Sequence, residues 1–491
     1  MSSQIAAAGI QNMMVLSNGM GYGYITILVA DLSDKTRSDI NLNEEELSWI
    51  GSIMLLSCLL GCTISGITEI FGKVRIIQVA TIPFFLSWII LYFAYEMWHI
   101  CISLTIIGIC SGIVQAPILS YIAEISQPQL RGILTASSTL SFVFGILVEY
   151  FLGILLHWRI LALFSSFFPL STFILLWFIP ESPYWLVARN RNDEALKSLS
   201  WLRGWVKDKN VEVEFQSIFE SQQSNLSGID NPAFDDSYLN TINQDTTDDL
   251  KKLKVGVLKL YTKKSFLYPF AITAFLFFLI NFTGILALQT YGIRIITSLR
   301  VPINEYYAVC LMGISSFAGA VVCVLSVRYL GKRLAGFISM FGVGVCNISM
   351  GIYAFICNIK DLEINELEEH TRIMNSGNWL PLIFLILIAF SAYSGLTTLP
   401  WMLIGEVFSQ RTRAIGCGLS STIYFITGFL ANKIFFDMIF LFYFYGLFWF
   451  YGILSIVGLV ISYFVLPETE GKTLGEILDH FSGVKELDKR I

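Results

Sequence analysis

Charge is scarce in this chain. Asp, Glu, Lys and Arg make up 14% of its 491 residues, whereas 55% of the residues are hydrophobic. Because soluble globular chains carry roughly 25% charged residues, this composition is too apolar for one soluble core. About a dozen membrane helices of about 20 apolar residues each would absorb the excess. The sequence therefore predicts a polytopic membrane protein that is embedded in a lipid bilayer.

Other signals are missing as well, and each absence excludes a class of function. No Lys/Arg-rich stretch with interleaved aromatic residues occurs, which argues against nucleic acid as a partner. No Gly-x-x-x-x-Gly-Lys-Ser/Thr loop is present, so ATP-driven pumping is not expected. The four histidines are isolated, and the nine cysteines lie mostly inside apolar runs, so neither indicates a metal site or a disulfide framework. We expect no metal, no cofactor and no enzymatic activity.

Uncharged runs long enough to span a bilayer recur along the chain. They lie at 5–30, 49–68, 76–95, 100–121, 160–179, 267–293, 308–327, 334–359 and 379–405, and a further run, 133–155, contains only Glu149. The stretch 415–466 holds two charged residues and, at about 1.5 Å rise per residue, is too long for one span. We expect it to form two helices that turn near Gly446. The sequence thus predicts twelve transmembrane helices.

A polar insert divides the predicted helices into two sets of six. Residues 180–266 carry 25 of the 69 charged residues and contain no run that could cross a bilayer. Within the insert, 190–204 has the pattern of a short amphipathic helix, and the composition of 221–250 predicts disorder. The fold class is therefore an all-α membrane protein with six-helix bundles at 1–180 and 267–466, a cytoplasmic loop at 181–266 and a tail at 467–491.

The distribution of basic residues predicts the orientation in the membrane. If the insert is cytoplasmic, 24 of the 32 Lys and Arg residues lie on the cytoplasmic side, as the positive-inside rule requires. Both termini are then cytoplasmic, because the number of spans is even. No basic residue precedes Lys35, so we expect the first hydrophobic segment to be retained rather than cleaved as a signal peptide.

The two halves of the chain repeat the same charged positions. Each half has a Gly-Lys pair between its second and third spans, a Glu followed by Arg seven residues after it at the end of its fourth span, and a Pro-Glu pair after its sixth span. These positions are Gly72-Lys73, Glu124 with Arg131 and Pro180-Glu181 in the first half, and Gly331-Lys332, Glu406 with Arg413 and Pro467-Glu468 in the second. Such duplicated halves are typical of a transporter that rocks around a central site.

These motifs resemble those of sugar porters of the major facilitator superfamily. The matching segments are Pro-Glu-Ser-Pro-x-Trp-Leu at 180–186, Pro-Glu-Thr-x-Gly-Lys-Thr-Leu at 467–474, Pro400-Trp401 with Glu406, and Tyr121 with Glu124 and Arg131-Gly132. The segment Ser48-Trp49-Ile50-Gly51-Ser52 further resembles the insect facilitated trehalose transporter-like branch. The resemblance implies the major facilitator fold and alternating access by two bundles.

The resemblance also implies that charges at the cytoplasmic helix ends form salt bridges, which hold the outward-facing state closed from inside. The candidate gate residues are Glu69, Arg75, Glu124, Arg131, Glu181, Arg328, Glu406, Arg413 and Glu468. Opposite charges about 4 Å apart attract by about 4 kcal/mol at an effective dielectric constant of about 20, before desolvation. Arg328 stands where the family usually has a carboxylate, so that turn cannot make the same acid-to-base contact.

A sugar needs amide and hydroxyl partners for its hydroxyl groups and an aromatic face for its C–H surface. The resemblance implies a site made of Thr139, Asn281, Tyr291, Ser316, Thr397, Trp401, Tyr424 and Phe425. Gln289 is a further candidate, because eight residues along a helix rotate it about 80° from Asn281. Ile280 and Leu286 replace two of the three amide residues of the family's motif in the seventh span. For each small polar residue, the alternative is a hydrogen bond between helices or to the backbone.

The first span contains no Asp, Glu, His, Lys or Arg between residues 5 and 30, whereas proton-driven carriers generally need a titratable group inside the membrane. Proton-coupled sugar porters have an acidic residue there and an Arg in the fourth span, where this chain has Leu104. Glu149, Lys433 and Asp437 lie toward the outer halves of their helices, where they would either snorkel or carry protons.

We therefore expect facilitative transport, or uniport, of trehalose or a hexose across the plasma membrane by a monomer. The sequence leaves two alternatives open. One is a sensor that binds sugar without transporting it, and the other is a carrier of a polyol or another small solute.

Overall fold

A computed structural model describes residues 2–33, 40, 42–68, 71–206, 211–227, 261–362, 378–408, 412–470, 472, 476 and 480–481. Within these residues, twelve helical segments are long and apolar enough to cross a membrane. The prediction of an all-α protein with twelve transmembrane helices is confirmed.

The first bundle consists of six spans, of which the sixth is built from two short helices. The helices are α1 (Ser2–Ser33), α2 (Glu44–Thr68), α3 (Lys73–Tyr92), α4 (Met97–Ile125), α5 (Pro128–Leu155), and α6 (Trp158–Ser165) with α7 (Phe167–Leu175). Two glycines let α1 and α5 approach closely, because a Cβ atom on Gly19 or on Gly145 would collide with a backbone carbonyl of the other helix. Close backbone contact at small residues is the usual way in which membrane helices associate.

Three helices of the insert pack beside the first bundle. They are α8 (Pro183–Ala188), α9 (Asn192–Leu202) and α10 (Glu212–Ser227). Arg203, which follows α9, donates to the carbonyl oxygen of Ile125 at 3.2 Å, and Ser198 donates to the carbonyl oxygen of Glu181 at 2.6 Å. α9 coincides with the predicted amphipathic helix. The prediction of disorder is wrong for 221–227, which belong to α10, because Phe215 and Ile218 anchor that helix on the other two. Residues 228–250 lie outside the described part.

The second bundle also has six spans, and two of them are interrupted. The helices are α11 (Lys264–Phe282) with α12 (Ile285–Leu299), α13 (Glu305–Leu330), α14 (Lys332–Ile356), α15 (Leu380–Ser391) with α16 (Leu399–Val407), α17 (Arg413–Lys433) and α18 (Phe435–Val465). Gly284, in the left-handed conformation with φ 89°, separates α11 from α12. A π-helical turn at Ala392–Leu396 separates α15 from α16, and such turns are frequent at functional sites.

The predicted turn near Gly446 is wrong. α17 ends at Lys433, and the helical path of α18 breaks at Tyr443, which has φ 59° and ψ 166°. Directly after this break, the N–H group of Phe444 donates to the carbonyl oxygen of Lys360 at 2.7 Å. This hydrogen bond fixes the start of the last span beside the end of α14, so Gly446 continues the helix.

The two bundles meet mainly along three helix pairs, which are α1 with α12, α2 with α17, and α5 with α13, and α2 also contacts α18. We call the end of the bundles that carries α8 to α10 the insert end. The other end, where Ser33, Glu44 and Lys433 lie, is called the opposite end. All nine cysteines are free, and four of them are buried and five half-buried.

Candidate functional site

At the insert end of the first bundle, Lys73 forms a buried ion pair with Glu124. Lys73 is the first residue of α3, and the preceding Gly72 has φ 107°. Its side chain is 7% exposed, and its ammonium group donates to a carboxylate oxygen of Glu124. The carboxylate of Glu181 accepts from the N–H groups of Lys73 and Val74 at 3.0 Å each. A carboxylate at this position satisfies N–H groups that have no partner within the helix and is favoured by the helix dipole.

The second bundle repeats this arrangement. Lys332 begins α14 after Gly331, which has φ 79°. The ammonium group of Lys332 lies 2.6 Å from both carboxylate oxygens of Glu406 and 3.0 Å from a carboxylate oxygen of Glu470. Glu468 accepts from the first two N–H groups of α14 at 3.1 and 3.0 Å. The internal repeat of the sequence is therefore a repeat of charged contacts in space.

The predicted gate residues are paired differently from our expectation. Glu124 and Glu406 each bind a lysine of their own bundle, although the prediction did not name Lys73 or Lys332 as gate residues. The Gly-Lys pair that recurs in both halves is the sequence signal that could have identified them. The positive φ of each glycine starts a helix at the lysine and directs its side chain into the bundle.

The other basic residues of the predicted gate are Arg75, Arg131, Arg328 and Arg413. Arg75 and Arg328 are exposed. Arg75 follows Lys73 by two residues, which rotates it about 200° around the helix and away from Glu124. Glu69 and the side chains of Arg131 and Arg413 lie outside the described residues.

A polar cluster joins four helices of both bundles. Thr26 of α1 donates to the carbonyl oxygen of Gln289 in α12, and its hydroxyl oxygen lies 3.3 Å from the hydroxyl oxygen of Tyr150 in α5. The side-chain amide of Gln289 donates to the hydroxyl group of Tyr393, in the π-helical turn. Of these residues, the sequence predicted only Gln289. The others are single polar residues in apolar helices, and their meeting depends on how the helices are set against each other.

Three of the predicted aromatic residues come together beside this cluster. The ring of Trp401 lies edge-on to those of Phe277 and Tyr424, with centroids 4.8 and 5.2 Å apart. Phe425 packs on Tyr424 at 5.1 Å. Trp401 and Tyr424 are half-buried, whereas Phe425 is buried. An aromatic surface of the kind that a sugar ring requires is thus present in the second bundle.

Asn281 connects two helices of the second bundle. Its Nδ2 atom donates to the carbonyl oxygen of Tyr424 at 2.8 Å and to the hydroxyl oxygen of Thr427 at 2.7 Å. The side chain is buried, and its Oδ1 atom has no hydrogen-bond partner among the described residues. The nitrogen therefore serves an interhelical contact, as the alternative interpretation proposed. The oxygen is buried next to Gly428.

The remaining predicted site residues make no hydrogen bond to the polar cluster in the part of the chain that the structure describes. Ser316 donates to the carbonyl oxygen of Met312 at 3.0 Å, and Thr397 to that of Ala392 at 3.1 Å. Thr139 is half-buried. Tyr291 does not face the polar cluster. It is 1% exposed, stacks on Phe435 at 4.5 Å, and donates to the carbonyl oxygen of Asn432 at 3.0 Å.

The opposite end is closed by hydrogen bonds between the bundles. Arg294 donates to Glu44 at 3.3 Å, Tyr306 to Asp31, Asn432 to the carbonyl oxygen of Gly51 at 2.9 Å, and Lys433 to Ser48 at 2.8 Å. These hydrogen bonds draw the two bundles together at this end.

Glu149 does not extend its side chain to the membrane surface, so snorkelling, one of the two possibilities for this residue, is excluded. It is fully buried, and the hydroxyl group of Ser165 lies 3.0 Å from each of its carboxylate oxygens. Gly23 of α1 packs directly against the Cβ atom of Glu149 and covers it. Lys433 is half-buried at the closed end, and Asp437 is exposed.

A family model described as "Sugar (and other) transporter" matches residues 10–481. The facilitated trehalose transporter Tret1 of Polypedilum vanderplanki is 27% identical over 477 residues, covering 97% of this chain and 87% of that protein. Tret1 of Bombyx mori is 27% identical over 476 residues, covering 97% of this chain and 86% of that protein.

Solved structures share the fold. The proton:xylose symporter XylE bound to 6-bromo-6-deoxy-D-glucose superposes with a TM-score of 0.71 at 18% identity, covering 97% of this chain and 98% of that chain. The inward-open conformation of XylE from E. coli superposes with a TM-score of 0.71 at 17% identity, covering 96% and 99%. At this identity, the likeness establishes the architecture of two six-helix bundles.

Proposed function

The chain belongs to the sugar transporter family of the major facilitator superfamily, and from this premise we propose that it carries trehalose or a hexose across the plasma membrane. It is a multi-pass membrane transporter and not an enzyme. In our proposal it acts as a monomeric uniporter by alternating access. The insert and both termini face the cytoplasm, because 24 of the 32 basic residues then lie on that side.

The closure of the opposite end is the observation that carries this proposal. In the proposed orientation this end is extracellular, so the hydrogen bonds from Arg294, Asn432 and Lys433 close the protein toward the outside. The contacts join two bundles that each have their own internal ion pair, at Lys73 and at Lys332. Two internally braced bodies that are joined by contacts able to release are what a rocking mechanism requires. In the proposed orientation, the structure is closed toward the outside.

The polar and aromatic groups below this closure supply the chemistry for a sugar. The hydroxyl group of Tyr393 accepts from Gln289 and still has its own hydrogen to donate. The Oδ1 atom of Asn281 can accept a hydrogen bond, and Trp401 offers a half-buried ring. Uncharged donors, acceptors and an aromatic face suit a polyhydroxylated solute. Trehalose is favoured because the relatives at 27% identity are named as trehalose transporters.

Uniport is supported by the position of the buried acids. Asp31 is the only carboxylate among the described residues of α1, and it accepts from Tyr306 at the closed end. Glu149 is bonded to Ser165 within the first bundle. Neither carboxylate lies beside Gln289 or Trp401, so we expect sugar binding without proton exchange.

The experiment that tests the proposal is sugar counterflow in liposomes that contain the purified protein. Radiolabelled trehalose, glucose and a polyol are compared in separate assays, with protein-free liposomes and Trp401→Ala as controls. Saturable exchange of trehalose or glucose supports the proposal. Exchange of the polyol alone would assign the carrier to another solute, and saturable binding without exchange would assign a sensor.

A further inference from the structure

One cation of the second bundle is held by the first bundle at the closed end. The ammonium group of Lys433, the last residue of α17, lies 2.8 Å from the hydroxyl oxygen of Ser48 and 4.5 Å from the centre of the Trp49 ring. Both of these residues belong to α2. Trp49 also packs against Phe429, one turn before Lys433, with ring centroids 6.1 Å apart. The charge is thus bound by a hydroxyl group and an aromatic face of the other bundle.

The neighbouring residue, Asn432, fixes the register of this contact. Its Nδ2 atom donates to the carbonyl oxygen of Gly51 in α2 at 2.9 Å and to the hydroxyl oxygen of Thr290 in α12 at 2.8 Å. Gly51 is required at this point, because a Cβ atom there would lie 2.7 Å from the hydroxyl oxygen of Tyr291. The backbone of α2 therefore lies directly against α12, and Asn432 connects the two.

We propose that these residues form a latch that holds the extracellular end closed and is broken each time that end opens. The latch consists of Ser48, Trp49 and Gly51 in α2 and of Asn432 and Lys433 in α17. Because its two sides belong to different bundles, a separation of α2 from α17 breaks all of its contacts together. Groups that bind each other in only one of two states shift the equilibrium toward that state.

The chemistry of the latch suits a contact that must release in every cycle. Among the described residues no carboxylate forms an ion pair with Lys433, and its partners are a hydroxyl group and the ring of Trp49, a residue that is 36% exposed. Such a cation–π contact at a partly exposed site is weaker than a buried ion pair. It also gives a role to the Ser-Trp-x-Gly segment at the start of α2, which the sugar site does not use.

The test measures the opening of this end directly. Genetically encoded spin labels replace Glu45, in α2, and Tyr307, in α13, both of which are exposed, and the nine native cysteines stay in place. Double electron–electron resonance in nanodiscs then gives the ratio of short to long distances across the closed end. We expect Lys433→Met to shift this ratio toward long distances by about tenfold, as the loss of a cation–π contact and a hydrogen bond implies.

Matched variants separate the latch from general damage. Trp49→Ala should shift the ratio in the same direction as Lys433→Met, and the double variant by less than the sum of the two single shifts, because both remove the same cation–π contact. Trp49→Phe should retain most of the closed population. Arg300→Met removes a positive charge at the same end without removing a latch contact, so the ratio should not change.

A second pair of variants tests the close approach of the helices. Gly51→Ala should open the end, because its Cβ atom would collide with Tyr291. Gly418→Ala should not open it, because a Cβ atom there meets nothing within 4 Å.

The role of the latch in the transport cycle rests on the proposed function, but its existence can be tested separately. An unchanged distance ratio in Lys433→Met, or an equal shift in Arg300→Met, would overturn the latch even if sugar transport is normal. Failure of sugar counterflow together with the expected distance shifts would leave the latch intact and reject the proposed substrate.

Discussion

Lys332 donates to both carboxylate oxygens of Glu406 at 2.6 Å, although its own side chain is only 7% exposed. The same contact occurs in the first bundle between Lys73 and Glu124. Each pair joins the first residue of one helix to the end of another helix of the same bundle. These charges therefore brace each bundle internally at the insert end, whereas the hydrogen bonds of Arg294, Asn432 and Lys433 join the bundles at the opposite end.

Removal of the lysine should weaken the second bundle. In Lys332→Met, Glu406 loses its charged partner, which we expect to cost about 2 kcal/mol of stability. The measurement is the apparent melting temperature of the detergent-purified protein, followed by its intrinsic tryptophan fluorescence. Arg328→Met is the control, because Arg328 is exposed in the same turn and its loss should have almost no effect. Equal shifts in both variants would show that the pair does not brace the bundle.

The backbone conformation of Gly331 should also be necessary. Its φ of 79° is unfavourable for other residues, and a Cβ atom would lie 2.5 Å from a carboxylate oxygen of Glu468. Gly331→Ala should therefore destabilise the protein by about 1–2 kcal/mol. Gly405→Ala adds the same methyl group in open space within a helix and should be neutral or slightly stabilising. The two variants are compared by melting temperature, and equal values would contradict the prediction.

Asn281→Ala should reduce both stability and sugar affinity. The variant loses the hydrogen bonds from α11 to Tyr424 and Thr427, together with the acceptor that we assign to the solute. A loss of about 1–3 kcal/mol in sugar binding corresponds to a roughly ten- to hundredfold weaker affinity. Thr427→Val removes one interhelical bond and leaves Asn281 in place. If Thr427→Val weakens sugar binding to the same extent, Asn281 acts by positioning α17 and not by binding sugar.

Tyr393→Phe should change the selectivity among sugars. The variant keeps the ring but removes the hydroxyl group that accepts from Gln289, so one hydrogen bond to a sugar hydroxyl group is lost. We expect about tenfold weaker binding of sugars that carry this hydroxyl group and little change for a deoxy analogue that lacks it. Competition against radiolabelled sugar measures both. A uniform loss for all sugars would indicate that the hydroxyl group only supports the fold.

Transport should be insensitive to a proton gradient. The titratable side chains Asp31 and Glu149 are bonded away from the polar cluster, to Tyr306 and to Ser165. Uptake into liposomes should therefore stop at equal concentrations on both sides, with or without a pH difference, and Glu149→Gln should behave in the same way. Accumulation of sugar above the outside concentration that a protonophore abolishes would refute uniport.

The twelve spans were predictable because an apolar run long enough to cross the bilayer is visible in the composition itself. Contacts between helices are harder to predict from the sequence, because residues that face lipid and residues that face the core are both apolar in a membrane protein. For this reason the meeting of Thr26, Tyr150 and Tyr393 was not foreseen. The turn at Tyr443 was misplaced because no glycine or proline marks it. The repeat of the Gly-Lys pair does not by itself reveal the role of Lys73 and Lys332, because the φ of the preceding glycine decides where each lysine points.

The insert is fastened to the first bundle by Arg203, at Ile125, and by Ser198, at Glu181. When the bundles rotate against each other, α8 to α10 consequently travel with the first half as a rigid extension. A protein that binds these helices would therefore move together with the first bundle in every transport cycle. Conversely, immobilising α8 to α10 would slow sugar transport without any contact with the sugar.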